Sequence, residues 1–244
     1  MSIETYITVH DSTIVAECEN SGRFNSISHT YLFVGPKAVD VADNIKIIVC
    51  RDIQPNYEHL PHFYDFTGWF VLGKYGLIET NNAIFLQYDH FINVDDIEEQ
   101  TESELKDNNM VGYAPAGPSL WTLALPEFYE RQVRGILACG EDWESLLARV
   151  PFDTWPTTQG VAWRTKEFCE FMNWFEPAFE SFKDHTFAGH LAERMIQPFL
   201  MAHGMTAGYL PGLVSHESLD CHGTKDLILG NIESYNNKTL TFGL

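Results

Sequence analysis

The stretch NNAIFLQYDHFIN, residues 81–93, closes an apolar run of Ala83, Ile84, Phe85 and Leu86 with the polar tip Gln87, Tyr88, Asp89 and His90. In open α/β sheets ligands gather at the carboxyl ends of strands, so a carboxylate at Asp89 would stand where chemistry is done. An Asp that only closes a strand is ordinary turn chemistry, and the local pattern fits both. Far downstream, the turns LVSHES and LDCHGTKD carry His216 and His222. A carboxylate with imidazoles suits Mn²⁺, Zn²⁺ or Fe²⁺, whereas oxygen-rich ligation suits Mg²⁺. With 10 histidines in the chain, a surface or core-satisfied side chain is the competing outcome for each one.

A second candidate is Glu193, beside Arg194 in GHLAER. At the first turns of a helix and within an apolar stretch, it could serve as a general base. A local ion pair, or an acid complementing the helix dipole, explains the same residues. Glu141-Asp142 is similar, with helix capping as its simpler account. A third group is aromatic: Trp155, Trp163, Trp174 and Phe175. Exposed rings stack on the apolar faces of sugars, but large aromatics at helical spacing usually build core. Trp174 and Phe175 read as core, and Trp155, in a Pro-flanked loop, as the acceptor-binding candidate. No GxxxxGK[ST], GxGxxG, HExxH or GxSxG pattern is present, which removes the usual support for NTPase, dinucleotide, zincin and serine-hydrolase chemistry.

The elements that must position these groups follow from periodicity. Strands are expected at Thr5–Val9, ending at His10 and Asp11, and at His29–Val34, Ile45–Cys50, Ala83–Tyr88 and Met110–Tyr113. Helices are expected over Phe63–Leu77, Pro126–Leu137, Trp143–Arg149, Lys166–Phe182 and His190–Leu200. In Lys166–Phe182 the residues Phe168, Phe171, Met172, Phe175 and Phe179 recur at spacings of three and four, one buried helix face. The acidic segment Asp95–Asp107 reads as a solvated loop or short surface helix. Strands with modest connections near the N-terminus predict the nucleotide-binding half of an α/β sheet, followed by a helical, aromatic-rich half.

Composition bounds the partners. The chain has 244 residues, 45% of them hydrophobic and 14% aromatic, enough for a substantial core. A net charge of −19 repels phosphate backbones, so neither nucleic acid nor an anionic membrane surface is expected as a partner. A phosphate-bearing small molecule would need a local cation, which a bound metal could supply. The five cysteines are widely spread and form no CxxC pair, which fits reduced thiols and a cytoplasmic location. The N-terminus lacks the pattern of a signal peptide, and no apolar run reaches the roughly 18–20 residues that span a bilayer.

In the order of these features the chain resembles the glycosyltransferase A (GT-A) fold, as seen in glycan- and capsule-type transferases. IFLQYDH is similar to the strand that bears that family's DxD motif, with Asp89 at the matching place. The motif is degenerate here: Gln87-Tyr88 precede Asp89 and His90-Phe91 follow it. AGHLAER is similar to the helix bearing the family's acidic residue, which implies Glu193 as the base if the reaction inverts configuration and as a substrate-positioning group if it retains it. The two histidine turns lie where the family's last metal ligand is expected, leaving His216 and His222 as alternatives. The resemblance implies one α/β domain, a Rossmann-like nucleotide-binding half with a mixed central sheet flanked by helices (about 1–95) and an acceptor-binding half (about 96–244). It implies a nucleotide-sugar donor (UDP- or GDP-linked) held near His10, Asp11, Tyr88 and Asp89, a Mn²⁺ or Mg²⁺ ion on Asp89 and a histidine, and a glycan acceptor. A non-catalytic carbohydrate-binding protein and a metal-dependent hydrolase are the alternatives.

Overall fold

The computed structural model describes residues 3–60, 62–113, 126–147, 160–186 and 188–216. Trp155 and His222 lie outside the described residues, and His216 is described in its backbone only. The elements run β1 (Ile3–Val9), α1 (Ser12–Ser21), β2 (His29–Phe33), β3 (Ile47–Val49), a 3₁₀ turn (Cys50–Asp52), α2 (Asp65–Tyr75), β4 (Asn82–Gln87), β5 (His90–Ile92), α3 (Ile97–Glu104) and β6 (Met110–Gly112). They continue with α4 (Pro126–Ala138), α5 (Trp143–Leu147), β7 (Val161–Arg164), α6 (Thr165–Phe182), α7 (Ala188–Glu193), α8 (Ile196–Ala202), β8 (Ala207–Tyr209) and β9 (Val214–His216).

The central sheet has the order β3-β2-β1-β4-β7-β6-β8. β1, β2, β3 and β4 run parallel, β7 runs against both β4 and β6, and β8 is parallel to β6. This is the α/β class with a mixed central sheet expected above. β4 is buried along nearly its whole length because helices cover both faces of the sheet, which is why its sequence is a continuous apolar run and not an alternation. Phe85 faces α2 and α6, while Ile84 and Leu86 pack with α1 and α3.

Two glycines let α2 approach its neighbours closely. A Cβ on Gly68 would lie 2.6 Å from Leu32 Cδ2, and one on Gly73 would lie 2.9 Å from Met172. The face of α6 predicted from its spacing is buried, and Phe168 stacks on Phe85 with ring centroids 4.4 Å apart.

Two expectations are corrected, and one strand was not expected. His190–Leu200 is not one helix: it breaks at Arg194-Met195 into α7 and α8, so Glu193 ends a helix and does not begin one. Residues 161–164 form the strand β7, in which Trp163 is fully buried against Phe171 and unavailable to a sugar. Within LVSHES, Val214–His216 form strand β9 and not a turn, because the partner strand β5 lies far away in sequence.

Candidate functional site

The carboxyl ends of β1 and β4 define one edge of the sheet. Thr8 and Gln87 are paired in register, and the Tyr88 amide donates to the Thr8 carbonyl at 3.2 Å, which carries the ladder into the turn after β4. The His10 and Tyr88 rings therefore meet edge to face, 5.3 Å between centroids. Two of the predicted donor residues are thus in contact. The Tyr88 carbonyl accepts from the Arg23 guanidinium, whose plane also covers Phe91 at 4.3 Å.

Asp11 caps α1, accepting from the Thr13 amide and hydroxyl at 2.9 Å each, and pairs with the Lys37 ammonium. The Lys37 hydrogen bond, followed by those from Thr13, holds its carboxyl well below the usual carboxylate range. Asp11 is therefore already engaged as a structural anchor at the edge where it was expected to meet a nucleotide.

The turn Tyr88-Asp89 is closed by His90, which is buried and has Nδ1 2.7 Å from the Gln87 amide nitrogen. β5 then pairs antiparallel with β9, setting His216 opposite His90. The backbone of His216 is thereby carried next to the residue that follows Asp89.

Asp65 begins α2, directly after Tyr64, whose φ of 49° is the one positive non-glycine value among the described residues. Its Oδ2 accepts from Gln87 Nε2, and the Thr8 hydroxyl donates to the same carboxylate. Burial raises the Asp65 carboxyl to about 7, and the charges of Glu193 and Asp89 raise it further against the opposing hydrogen bonds. Asp65 thus feels two carboxylates carried by other elements, Asp89 and Glu193.

Glu193, at the end of α7, is mostly buried and has Oε2 3.5 Å from His190 Nδ1. The next residue, Arg194, is buried: its Nη1 donates to the His190 carbonyl, and its own carbonyl accepts from Gln132 Nε2 at 3.0 Å. Burial lowers its guanidinium to about 10, with Glu193 acting in the opposite sense.

A cavity of about 400 Å³ opens on the same side of the sheet, after β2 and β3, lined by Gly35, Pro36, Arg51, Gln54, Asn56, Glu58 and His59. Arg51 donates to the carbonyls of Gly35 and Lys37, and Glu58 accepts from the Gly35 amide. These contacts join the cavity wall to the Lys37–Asp11 pair.

As donors for a divalent cation, the Asp89 carboxylate and a histidine have suitable chemistry, and the β5–β9 ladder brings the chain at His216 beside the motif turn. Among the described residues no group of three His, Cys, Asp or Glu side chains is close enough to hold a metal ion. Sequence reasoning missed Asp65, Gln87 and Arg51. Asp65 reads locally as a first-turn acid favourable to the helix dipole, and only its contact with β4 reveals more.

The strand order, the single reversed strand and the site at the carboxyl edge define the class: the chain has the GT-A glycosyltransferase fold. The bifunctional glycosyltransferase WbbM, in its apo form, matches with a TM-score of 0.62 and 10% identity over 88% of this chain, which spans 45% of that protein. The galactosyltransferase LgtC with donor and acceptor sugar analogues matches at a TM-score of 0.43 and 11% identity, over 98% of this chain and 97% of LgtC. Glucosyl-3-phosphoglycerate synthase from Mycobacterium tuberculosis, with Mn²⁺, UDP and glucosyl-3-phosphoglycerate, also matches at 0.43, with 8% identity over 98% of this chain and 81% of the synthase. No protein-family model and no curated protein matches the sequence. Among the described residues no helix is long and apolar enough to cross a membrane.

Proposed function

We propose that this chain is a glycosyltransferase that moves a sugar from a nucleotide-diphosphate sugar (UDP- or GDP-linked) to a hydroxyl of a glycan acceptor. The observation that supports this reading is that Asp65, bonded to the end of β4 at the carboxyl edge of a GT-A sheet, feels the charges of both Asp89 and Glu193. Residues 1–95 form the donor half, with the nucleotide lying from the Arg51 cavity across His10, Asp11 and Tyr88. Residues 96–244 form the acceptor half, to which Trp155 belongs.

Asp89 and a histidine, His216 or His222, hold the divalent cation, Mn²⁺ or Mg²⁺. When bound, that cation offsets the charge gathering on the departing diphosphate. In an inverting reaction Glu193 takes the proton from the acceptor hydroxyl as its oxygen bonds to the anomeric carbon. The bond from that carbon to the diphosphate oxygen breaks with its electron pair leaving on the diphosphate.

Titration of UDP- and GDP-sugars with and without Mn²⁺ tests the reading. Metal-dependent binding that Asp89→Ala removes is expected, and donor binding unchanged in that variant would refute the metal assignment. Glu193→Gln should keep donor affinity and lose transfer. Retained glycan binding without any donor binding or turnover would favour the non-catalytic alternative.

A further inference from the structure

At the end of β4 the chain carries Gln87-Tyr88-Asp89, with a neutral amide at the first position, where the DxD pattern has a carboxylate. That amide is not loose. Its Nε2 donates to Asp65 Oδ2, and Asp65 reaches it from the first turn of α2. The same carboxylate accepts from Thr8, the residue in register with Gln87 on β1. Asp65 therefore joins the ends of the two strands that lead to His10-Asp11 and to Tyr88-Asp89. Thr8 is itself buried, so this junction lies beneath the edge and not out in solvent.

An amide whose N–H₂ group is committed to a carboxylate has only its carbonyl oxygen left to offer as an acceptor. Without that carboxylate the two ends of the amide could exchange, and a donor group would replace an acceptor at the strand end. We propose that Asp65 is a positioning residue for the donor sugar. Its carboxyl group, reaching in from α2, fixes the Gln87 amide so that Oε1 is the acceptor facing a sugar hydroxyl. The proposal rests on the glycosyltransferase reading above.

A reciprocal exchange tests it. Asp65→Asn removes the charge, and Gln87→Glu sets two carboxylates against each other. The double variant Asp65→Asn/Gln87→Glu restores one amide and one carboxylate with the roles reversed, and leaves a carboxylate oxygen free to accept where the wild type offers the amide oxygen. Titration with UDP- and GDP-sugars should show each single variant binding roughly ten-fold more weakly, the worth of one oriented hydrogen bond, and the double variant recovering to within about three-fold of wild type. Thermal unfolding of the same proteins separates folding from positioning. Single variants that lose stability while donor affinity stays unchanged would assign Asp65 a structural role only and overturn the proposal. In protein labelled with ¹⁵N-glutamine, the Gln87 side-chain amide resonance should shift in Asp65→Asn, and an unmoved resonance would also overturn it. A wild type that binds no nucleotide sugar overturns the glycosyltransferase reading together with the proposal, whereas wild-type binding that Asp65→Asn leaves intact overturns the proposal alone.

Discussion

His90 and His216 stand opposite each other across the β5–β9 ladder, although they come from distant parts of the chain. His90 turns inward to close the Gln87 turn, so its partner strand lies directly beside the residue that follows Asp89. A two-stranded ladder this short has few hydrogen bonds of its own. The Asn93 backbone amide donates a hydrogen bond of 2.9 Å to the Leu213 carbonyl, which helps to hold it.

The first prediction follows from that register. His216→Ala should leave the melting temperature close to wild type, because three-residue strands at the sheet margin contribute little burial. It should weaken Mn²⁺-dependent donor binding by roughly ten-fold or more, a typical loss when a metal site is disturbed. Isothermal titration with and without Mn²⁺ checks it, with His222→Ala as the parallel measurement.

The second prediction concerns pH. Asp65 titrates at about 7 in the folded chain, far above an ordinary Asp. Between the two values the folded state keeps a proton that the unfolded state has released, so the contribution of this group to stability falls as pH rises from about 4 to 7. The charges facing it are Asp89 from the motif turn and Glu193 from α7. Asp65→Asn removes this titration. Urea unfolding should show the variant gaining on wild type by about 1 kcal/mol or more between pH 5 and pH 8, a low figure because the residue as a whole keeps some contact with solvent.

Tyr64 supplies a third. A φ of 49° with ψ of −119° is unfavourable for a residue with a Cβ, and the ring is 59% exposed, so burial does not offset the strain. Such positions store about 1–3 kcal/mol, and glycine returns part of that through a more flexible unfolded chain. Tyr64→Gly should therefore stabilise the protein by about 1 kcal/mol in urea unfolding.

Gly68 should behave in the opposite way. Alanine is the better helix former, yet its Cβ would lie 2.6 Å from Leu32 Cδ2 and 2.9 Å from Val34 Cγ1. Pushing α2 off the sheet outweighs the gain in propensity of about 1 kcal/mol. Gly68→Ala should cost a net 1–2 kcal/mol or so by the same measurement, and because α2 carries Asp65, donor affinity should fall with it.

The amino-acid sequence by itself determined the elements whose burial shows in local periodicity. β4 is legible as an apolar run, α6 as a stripe of phenylalanines, and α2 and α4 as helices with boundaries within a few residues of those observed. It also pointed to Asp89 and Glu193 as carboxylates, and the structure brings both within electrostatic reach of Asp65. The tertiary structure decided most of the rest. β7 and β9 are too short to carry a period, and they are strands because β4 and β5 offer them unsatisfied backbone groups. The break between α7 and α8 carries a local signal in Pro198, which has no N–H for the Arg194 carbonyl and would clash with it in one continuous helix. It accompanies the burial of Arg194, whose guanidinium and carbonyl are bonded to His190 and Gln132. Asp65 looked like a helix-start acid until α2 packed on the sheet and set it against Gln87. Local pattern reports which face of an element is buried, but which side chains meet across a sheet edge depends on register and packing between segments far apart in the chain.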